Sequence, residues 1–138
     1  MRLIGERGNM AIEVEEIFQK SGAILNGHFL LASGLHSPIY WEKFRVLQYP
    51  AYTEQLCRMI TTHFQKQRIQ VVAGPTVGGI ILAYEVARQL GVRGIFAEKE
   101  GTAERAFKRG FSIKPMSESL SLMMSLPPVA PYVRLWRQ

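Results

Sequence analysis

The stretch from residue 69 to residue 97 restricts the fold of this chain more than any other part of its sequence. A short β-branched run, Ile69–Ala73, leads into a glycine-rich turn at residues 74–79. A helix is predicted over Ile80–Leu90, and Gly94–Ala97 is the next predicted strand. Strand, turn, helix and strand in that order imply a parallel sheet with a right-handed crossover. The middle of the chain is therefore predicted to be an α/β domain.

Composition narrows the class of protein further. The chain has 138 residues, which suits one domain, and 47% of them are hydrophobic. That share excludes a charge-rich disordered chain, and a single cysteine, Cys57, excludes an internal disulfide framework. No apolar run approaches about 20 residues, so we expect no membrane partner. A lone thiol suits a reducing compartment, and a cytoplasmic location is predicted.

The net charge of +6 is concentrated towards the C-terminus. Six of the 17 basic residues but only two of the 11 acidic residues lie within residues 101–138. A basic end is typical of chains that bind nucleic acid or anionic substrates, although a solvated tail without a partner is the simpler explanation. All 11 acidic residues are glutamate, and the sequence contains no aspartate.

The glycine-rich turn Gly74–Gly79 is the first candidate site. A turn of this kind at the start of a helix aims backbone N–H groups at an anion, usually a phosphate. The residues match neither the dinucleotide pattern GxGxxG nor a Walker loop. A tight strand-to-helix turn also needs glycine for packing alone, so both interpretations stay open.

The charged segment at residues 96–110 is the second candidate, because it starts where a predicted strand ends. Open α/β sheets bind ligands at that end of their strands. The basic residues of the segment are suited to clamping a polyanionic substrate beneath a mobile lid; they are Lys99, Arg105, Lys108 and Arg109. The alternative is an exposed hairpin whose charges keep the protein soluble.

The third candidate is the segment at residues 27–40, which combines aromatic rings, hydroxyls and backbone donors suited to a flat polar ring. Strands are predicted at Gly27–Ala32 and Pro38–Phe44, and helices at residues 11–20 and 50–67. The three histidines, His28, His36 and His63, lack metal-ligand spacing, so surface or capping roles are favoured for them. Cys57 is expected to pack inside the second of those helices rather than to act as a nucleophile.

Together the three segments resemble the orotate phosphoribosyltransferases, which are type I phosphoribosyltransferases. The matching stretches are Gly27–Gly34 with Ser37–Tyr40, Val72–Ile80 and Phe96–Glu100, and the resemblance spans about residues 10–115. It implies an incomplete type I phosphoribosyltransferase fold, an α/β arrangement with a parallel-sheet core, flanking helices and a small N-terminal subdomain. Residues 1–9 would then be an extension before a family start at Met10, and residues 116–138 a tail outside the family.

The resemblance also implies an activity. Orotate and phosphoribosyl pyrophosphate (PRPP) would be converted to orotidine monophosphate and pyrophosphate in pyrimidine (UMP) biosynthesis, with Mg²⁺ that no protein side chain binds. A homodimer is implied, and no nucleic-acid partner. Two alternatives stay open: a purine phosphoribosyltransferase, and a non-catalytic regulator of the same fold that binds nucleotide or nucleic acid.

Residue roles follow from the same resemblance. Pyrophosphate would bind at Thr76, Val77, Gly78 and Gly79, and the mobile catalytic loop would contribute Lys99, Arg105, Lys108 and Arg109. The orotate pocket would be bordered by Phe29, Ser33, Ser37 and Tyr40. Many family members have lysine where Ala32 stands and arginine where Glu98 stands, so those two contacts differ here.

The family's acidic motif, a strand that ends in two aspartates before a Thr/Gly-rich loop, is expected soon after Pro115 and is absent. In this family the acids order the ribose hydroxyls with the metal, and the loop cradles the 5′-phosphate. Leu122–Ala130 stands in its place. We therefore expect a sheet without its next strand and a chain that is inactive or nearly so.

The genetic code offers an explanation for this absence. Read from the last base of each codon, Met123-Met124 necessarily gives GAT, an aspartate codon. Over residues 116–134 the fixed bases allow Glu-Arg-Val-Leu-Val-Val-Asp-Asp-Val-Val-Thr-Thr-Gly-Gly-Ser-Val-Arg-Glu. We predict a frameshift with the net loss of one base near Pro115, and the third bases of these codons in the gene test it directly.

Overall fold

The computed structural model describes residues 13–101, 104–113, 119–123 and 132–136. The chain divides into two compact units, the first ending at Leu56 and the second beginning at Cys57. The third candidate segment belongs to the first unit, and the other two belong to the second. The predicted extension at residues 1–9 and the start at Met10 lie outside the described residues.

The first unit contains a two-stranded antiparallel sheet and short helices. Residues 13–20 form helix α1, and strands β1 (Ile24–Leu30) and β2 (His36–Trp41) follow as a hairpin. Helix α2 (Lys43–Leu47) replaces the predicted end of the second strand, which is therefore wrong beyond Trp41. The reason is local: the carboxylate of Glu42 accepts a hydrogen bond from the Phe44 N–H at 3.1 Å and caps the helix.

Helix α3 (Pro50–Phe64) follows α2 and passes the boundary between the units. Proline at its first position fits the fixed φ angle of a helix start, as the sequence predicted.

Buried side chains of the first unit include Ile17, Ala23, Val46 and Leu47. None of the helices in the described residues is long and apolar enough to cross a bilayer.

The second unit is a five-stranded sheet with the predicted crossover at its centre. Its elements are β3 (Val71–Pro75), α4 (Gly78–Leu90), β4 (Arg93–Glu100), β5 (Glu104–Phe107), β6 (Ser119–Met123) and β7 (Tyr132–Trp136), in the sheet order β5-β4-β3-β6-β7. Strand β3 runs parallel to β4 and to β6, whereas the β4–β5 and β6–β7 pairs are antiparallel. The predicted α/β class and parallel core are confirmed.

The core of this unit explains why β3 is an uninterrupted apolar run. Val71, Val72 and Ala73 are all buried, as expected of a central strand covered on both faces. Helix α4 buries Leu82, Ala83, Val86 and Ala87. It ends at Gly91, whose φ of +69° permits a left-handed cap with its N–H directed at the last helical carbonyls.

The expectation that the sheet lacks its next strand is wrong. Strand β6 lies parallel to β3, with Ser119 beside Val71 and Ser121 beside Ala73. An open sheet edge needs partners for its N–H and C=O groups, and the Ser-Leu-Ser-Leu sequence has the period of two that a strand requires. That residues 116–138 form a tail outside the family stays a prediction.

Candidate functional site

The turn between β3 and α4 is shaped by close backbone packing. A Cβ atom on Gly74 would overlap the carbonyl oxygen of Gly79 and lie 2.9 Å from the Cβ of Ala83. A Cβ atom on Gly79 would lie 2.5 Å from Cδ of Pro75. Glycine is therefore required at both positions for the strand and helix to pack. This supports the interpretation that the glycines serve packing, and it leaves phosphate binding by the turn open.

The same turn presents the start of α4 at the end of β3. Val77 precedes the helix, is 68% exposed and makes no side-chain capping hydrogen bond, and the first helical turn has no acidic residue. The peptide bond between Thr76 and Val77 is cis, and the Thr76 N–H donates to the carbonyl of Ala97 in β4 at 3.0 Å. A helix start of this composition presents backbone N–H groups and a positive dipole end to an anion.

Arg105 joins the charged segment to this turn. The antiparallel pairing of β5 with β4 places Arg105 beside Lys99. The Nη1 atom of Arg105 lies 3.4 Å from both the carbonyl oxygen and Oγ1 of Thr76. Both basic side chains are exposed, and neither forms an ion pair within the described residues. The structure thus brings together three of the predicted phosphate-binding residues.

The other two predicted cations are turned towards glutamates of β4. Nε and Nη2 of Arg109 donate to the two carboxylate oxygens of Glu98 at 3.0 and 2.9 Å. Nζ of Lys108 lies 3.5 Å from Oε1 of Glu100. The hydrogen bonds between Arg109 and Glu98 hold the pKa of the carboxyl below its usual range and raise the pKa of the guanidinium. These two cations are already paired in the chain itself.

The second candidate segment is a hairpin made by β4 and β5, the alternative that the sequence left open. Arg109 and Gly110 have φ angles of +61° and +74°, and the chain turns back there. Phe111 then packs edge-on against Phe96 at 5.1 Å between ring centroids, and with Ile113 it covers the buried side chains of the sheet. The base of the hairpin is therefore fixed to the core, and a lid movement stays a prediction.

The hairpin of the first unit gathers three of the four predicted orotate residues. Phe29 lies opposite Ser37, and its ring centroid is 5.4 Å from that of Tyr40. All three side chains are half-buried, whereas Ser33 is exposed in the connecting turn. The Ser37 hydroxyl donates to the carbonyl of Ile39 at 2.6 Å, and Ser33 Oγ accepts from the Leu35 N–H at 3.5 Å. An aromatic face and a hydroxyl thus share one side of this hairpin.

Sequence reasoning missed a pair of histidines on the same hairpin. Nε2 of His28 and Nδ1 of His36 are 2.6 Å apart, and their ring centroids are separated by 4.7 Å. Both side chains are exposed, as the favoured interpretation as surface residues predicted, but their contact with each other was not predicted. His63 packs against Phe64. Within the described residues there is no group of three or more His, Cys, Asp or Glu that could hold a metal ion.

Comparison with known proteins gives several orotate phosphoribosyltransferases among the relatives. No family model matches the chain. Orotate phosphoribosyltransferases of Pelotomaculum thermopropionicum and Desulforamulus reducens are 54% and 48% identical over 103 residues, which is 75% of this chain. That of Thermus thermophilus is 35% identical over 111 residues. The chain spans about half the length of the first two relatives, 54% and 53%.

Solved structures agree on the fold. Orotate phosphoribosyltransferase from Aeropyrum pernix has a TM-score of 0.59 at 22% identity, covering 67% of this chain and 55% of that one. Leishmania donovani UMP synthase has a TM-score of 0.57 at 23% identity, covering 72% and 23%. Adenine phosphoribosyltransferase from Saccharomyces cerevisiae has 0.53 at 14% identity, covering 78% and 69%. The predicted type I phosphoribosyltransferase fold is therefore confirmed, in partial form.

Proposed function

We propose that this chain belongs to the orotate phosphoribosyltransferase family over the 103 residues that match, and that it carries part of an enzyme that converts orotate and PRPP to orotidine monophosphate and pyrophosphate. The observation that carries this proposal is the 45–54% identity to several curated orotate phosphoribosyltransferases. Such an enzyme serves pyrimidine biosynthesis, and we place it in the cytoplasm.

In this proposal the pyrophosphate group of PRPP binds at the turn formed by Thr76, Val77, Gly78 and Gly79. The start of α4 supplies N–H donors, and Lys99 and Arg105 supply two adjacent positive charges. The 3.4 Å contact of Arg105 with Thr76 supports this placement, because it brings a guanidinium to the turn that would hold the anion. Charge-assisted contacts to phosphate oxygens are about twice as strong as neutral ones.

Magnesium would enter this site with PRPP. The described residues offer no cluster of three His, Cys, Asp or Glu to enclose the ion. Mg²⁺ commonly keeps several waters and binds through substrate phosphates, so the residues present fit an ion held by PRPP rather than by the protein. When bound, the ion would neutralise charge on the leaving pyrophosphate.

Orotate would lie against the rings of Phe29 and Tyr40, with Ser33 and Ser37 at its polar edge. The half-buried rings, 5.4 Å apart, support this assignment because a flat pyrimidine packs well on aromatic faces. We further propose a homodimer.

We propose that the site is incomplete, because the sequence contains no aspartate pair followed by the Thr/Gly-rich loop that the resemblance implies for the ribose 5′-phosphate. We propose that residues 116–138 are read out of frame, and that the alternative frame after Pro115 encodes the Asp-Asp and Thr/Gly motif. At the position of strand β6 the alternative reading gives Val-Leu-Val-Val, which is also a pattern typical of a buried strand.

An assay of orotate-dependent pyrophosphate release tests the activity. With PRPP, orotate and Mg²⁺, the 138-residue chain should give no release above a blank without enzyme. A gene with one base restored near codon 115 should give an active product, because the missing motif returns. Release by the 138-residue chain itself would contradict the loss of function, and an inactive restored product would contradict the proposed activity.

Pyrophosphate binding tests the assignment of the cations. Glu98→Gln releases Arg109 from its carboxylate partner, so affinity for pyrophosphate should rise by about two- to fivefold, the range expected for an exposed ion pair. Glu104→Gln is the matched control, since it removes the same charge from the same hairpin without a guanidinium partner in the described residues. Isothermal titration calorimetry distinguishes the two variants, and equal gains would show that only net charge matters.

A further inference from the structure

We propose that His28 and His36 form a two-histidine site for a divalent transition-metal ion, with Zn²⁺ as the representative ion, on the β1–β2 hairpin. This site is separate from the magnesium that would accompany PRPP, because imidazole nitrogen suits Zn²⁺, Ni²⁺ and Cu²⁺ whereas Mg²⁺ prefers oxygen ligands. The proposal does not depend on the proposed enzymatic function.

The first support is the way the backbone brings the two rings together. The register of the hairpin shifts between Asn26 and Phe29, so that Gly27 and His28 stand opposite Pro38 alone. Proline has no N–H to donate to the ladder, and a bulge at such a position redirects the side chain that it carries. The bulge, rather than the spacing in sequence, places His28 next to His36.

The second support is the convergence of two ring nitrogens. Nε2 of His28 and Nδ1 of His36 point at each other across 2.6 Å, so one imidazole donates to the other. Zn–N bonds of 2.0–2.1 Å in tetrahedral geometry hold two nitrogens about 3.3 Å apart. Both side chains are exposed, and the two nitrogens need to move apart by less than about 1 Å to bind an ion.

The third support is the charge of the surroundings on the hairpin. From Ile24 to Trp41 the sequence has no lysine, arginine or glutamate. No cation on this hairpin therefore opposes a metal ion, and no carboxylate on it completes the coordination. Water fills the other positions, and the bound ion links β1 to the first residue of β2.

Calorimetric titration of the 138-residue chain with zinc chloride tests the site. We expect one Zn²⁺ per chain, no heat from magnesium chloride, and an affinity lower by roughly tenfold or more in His28→Gln and in His36→Gln, since each removes one of two ligands. His63→Gln is the matched control and should bind like the parent, because that ring lies on helix α3 against Phe64.

A second measurement separates loss of a ligand from loss of folding. Zinc should raise the thermal midpoint of the parent and of His63→Gln but not of the double variant His28→Gln/His36→Gln, whose far-UV circular dichroism should match the parent. Unchanged zinc binding in the double variant, absence of binding by the parent, or loss of binding in His63→Gln would each overturn the proposal.

Discussion

Cys57 should react with a thiol reagent roughly a thousandfold more slowly in the folded protein than in the unfolded chain at pH 8. Burial, reinforced by the charge of Glu85, raises the pKa of this thiol from 9.0 to about 12. Only the thiolate is nucleophilic, and three pKa units lower its fraction by about three orders of magnitude. The side chain has no exposed surface, so the reaction also requires local unfolding that exposes the thiol, and this lowers the rate further.

A chromogenic disulfide reagent measures this directly, because Cys57 is the only cysteine in the sequence. The same chain in urea at the same pH is the control, and it should react at the rate of an ordinary cysteine. Similar rates in both conditions would show that the thiol is accessible, and would contradict the packing of Cys57 with its Sγ 3.8 Å from the carbonyl of Leu82.

The same raised pKa predicts how stability depends on pH in alkaline solution. The folded state favours the neutral thiol, so this contribution is complete below the unfolded pKa near 9 and is lost as pH rises towards 12. The urea midpoint should therefore fall across that range. A Cys57→Ala variant should lose less stability over the same interval, and an equal loss would point to other groups.

The local sequence pattern was sufficient to predict the central elements β3, α4 and β4. The β-branched residues before Gly74 and the spacing that predicts a helix over Ile80–Leu90 act over a few residues, and both elements were confirmed. Two strands were also predicted in the first unit, but β1 is Ile24–Leu30 rather than Gly27–Ala32. The second strand ends at Trp41 because Glu42 caps a helix that the pattern did not reveal.

Contacts between distant residues escaped prediction because they depend on strand register. Arg109 reaches Glu98 only because β5 folds back along β4, and His28 meets His36 only because of the bulge opposite Pro38. Strand β6 was missed because five alternating residues are a weak signal until the open edge of β3 is known. Register is a property of the assembled sheet, and no single segment contains it.

The replacement Gly74→Ala should destabilise the second unit by about 3 kcal/mol, the upper part of the range for overpacking a tight core. The new Cβ would overlap the carbonyl oxygen of Gly79 and lie 2.9 Å from the Cβ of Ala83. Neither obstacle is the end of a flexible side chain, so relief requires α4 to move away from β3. That movement also shifts the helix start at which we propose pyrophosphate binds.

The matched control is Gly101→Ala, at the turn after β4. Gly101 has a φ of +63°, and a Cβ added there would meet nothing within 4 Å, so its replacement carries only the left-handed backbone cost of about 1–2 kcal/mol. Urea unfolding followed by circular dichroism compares the two variants. Equal midpoints would mean that the strand and helix separate easily, whereas a larger loss for Gly74→Ala, with weaker pyrophosphate binding, would show that packing at this turn sets the position of the anion site.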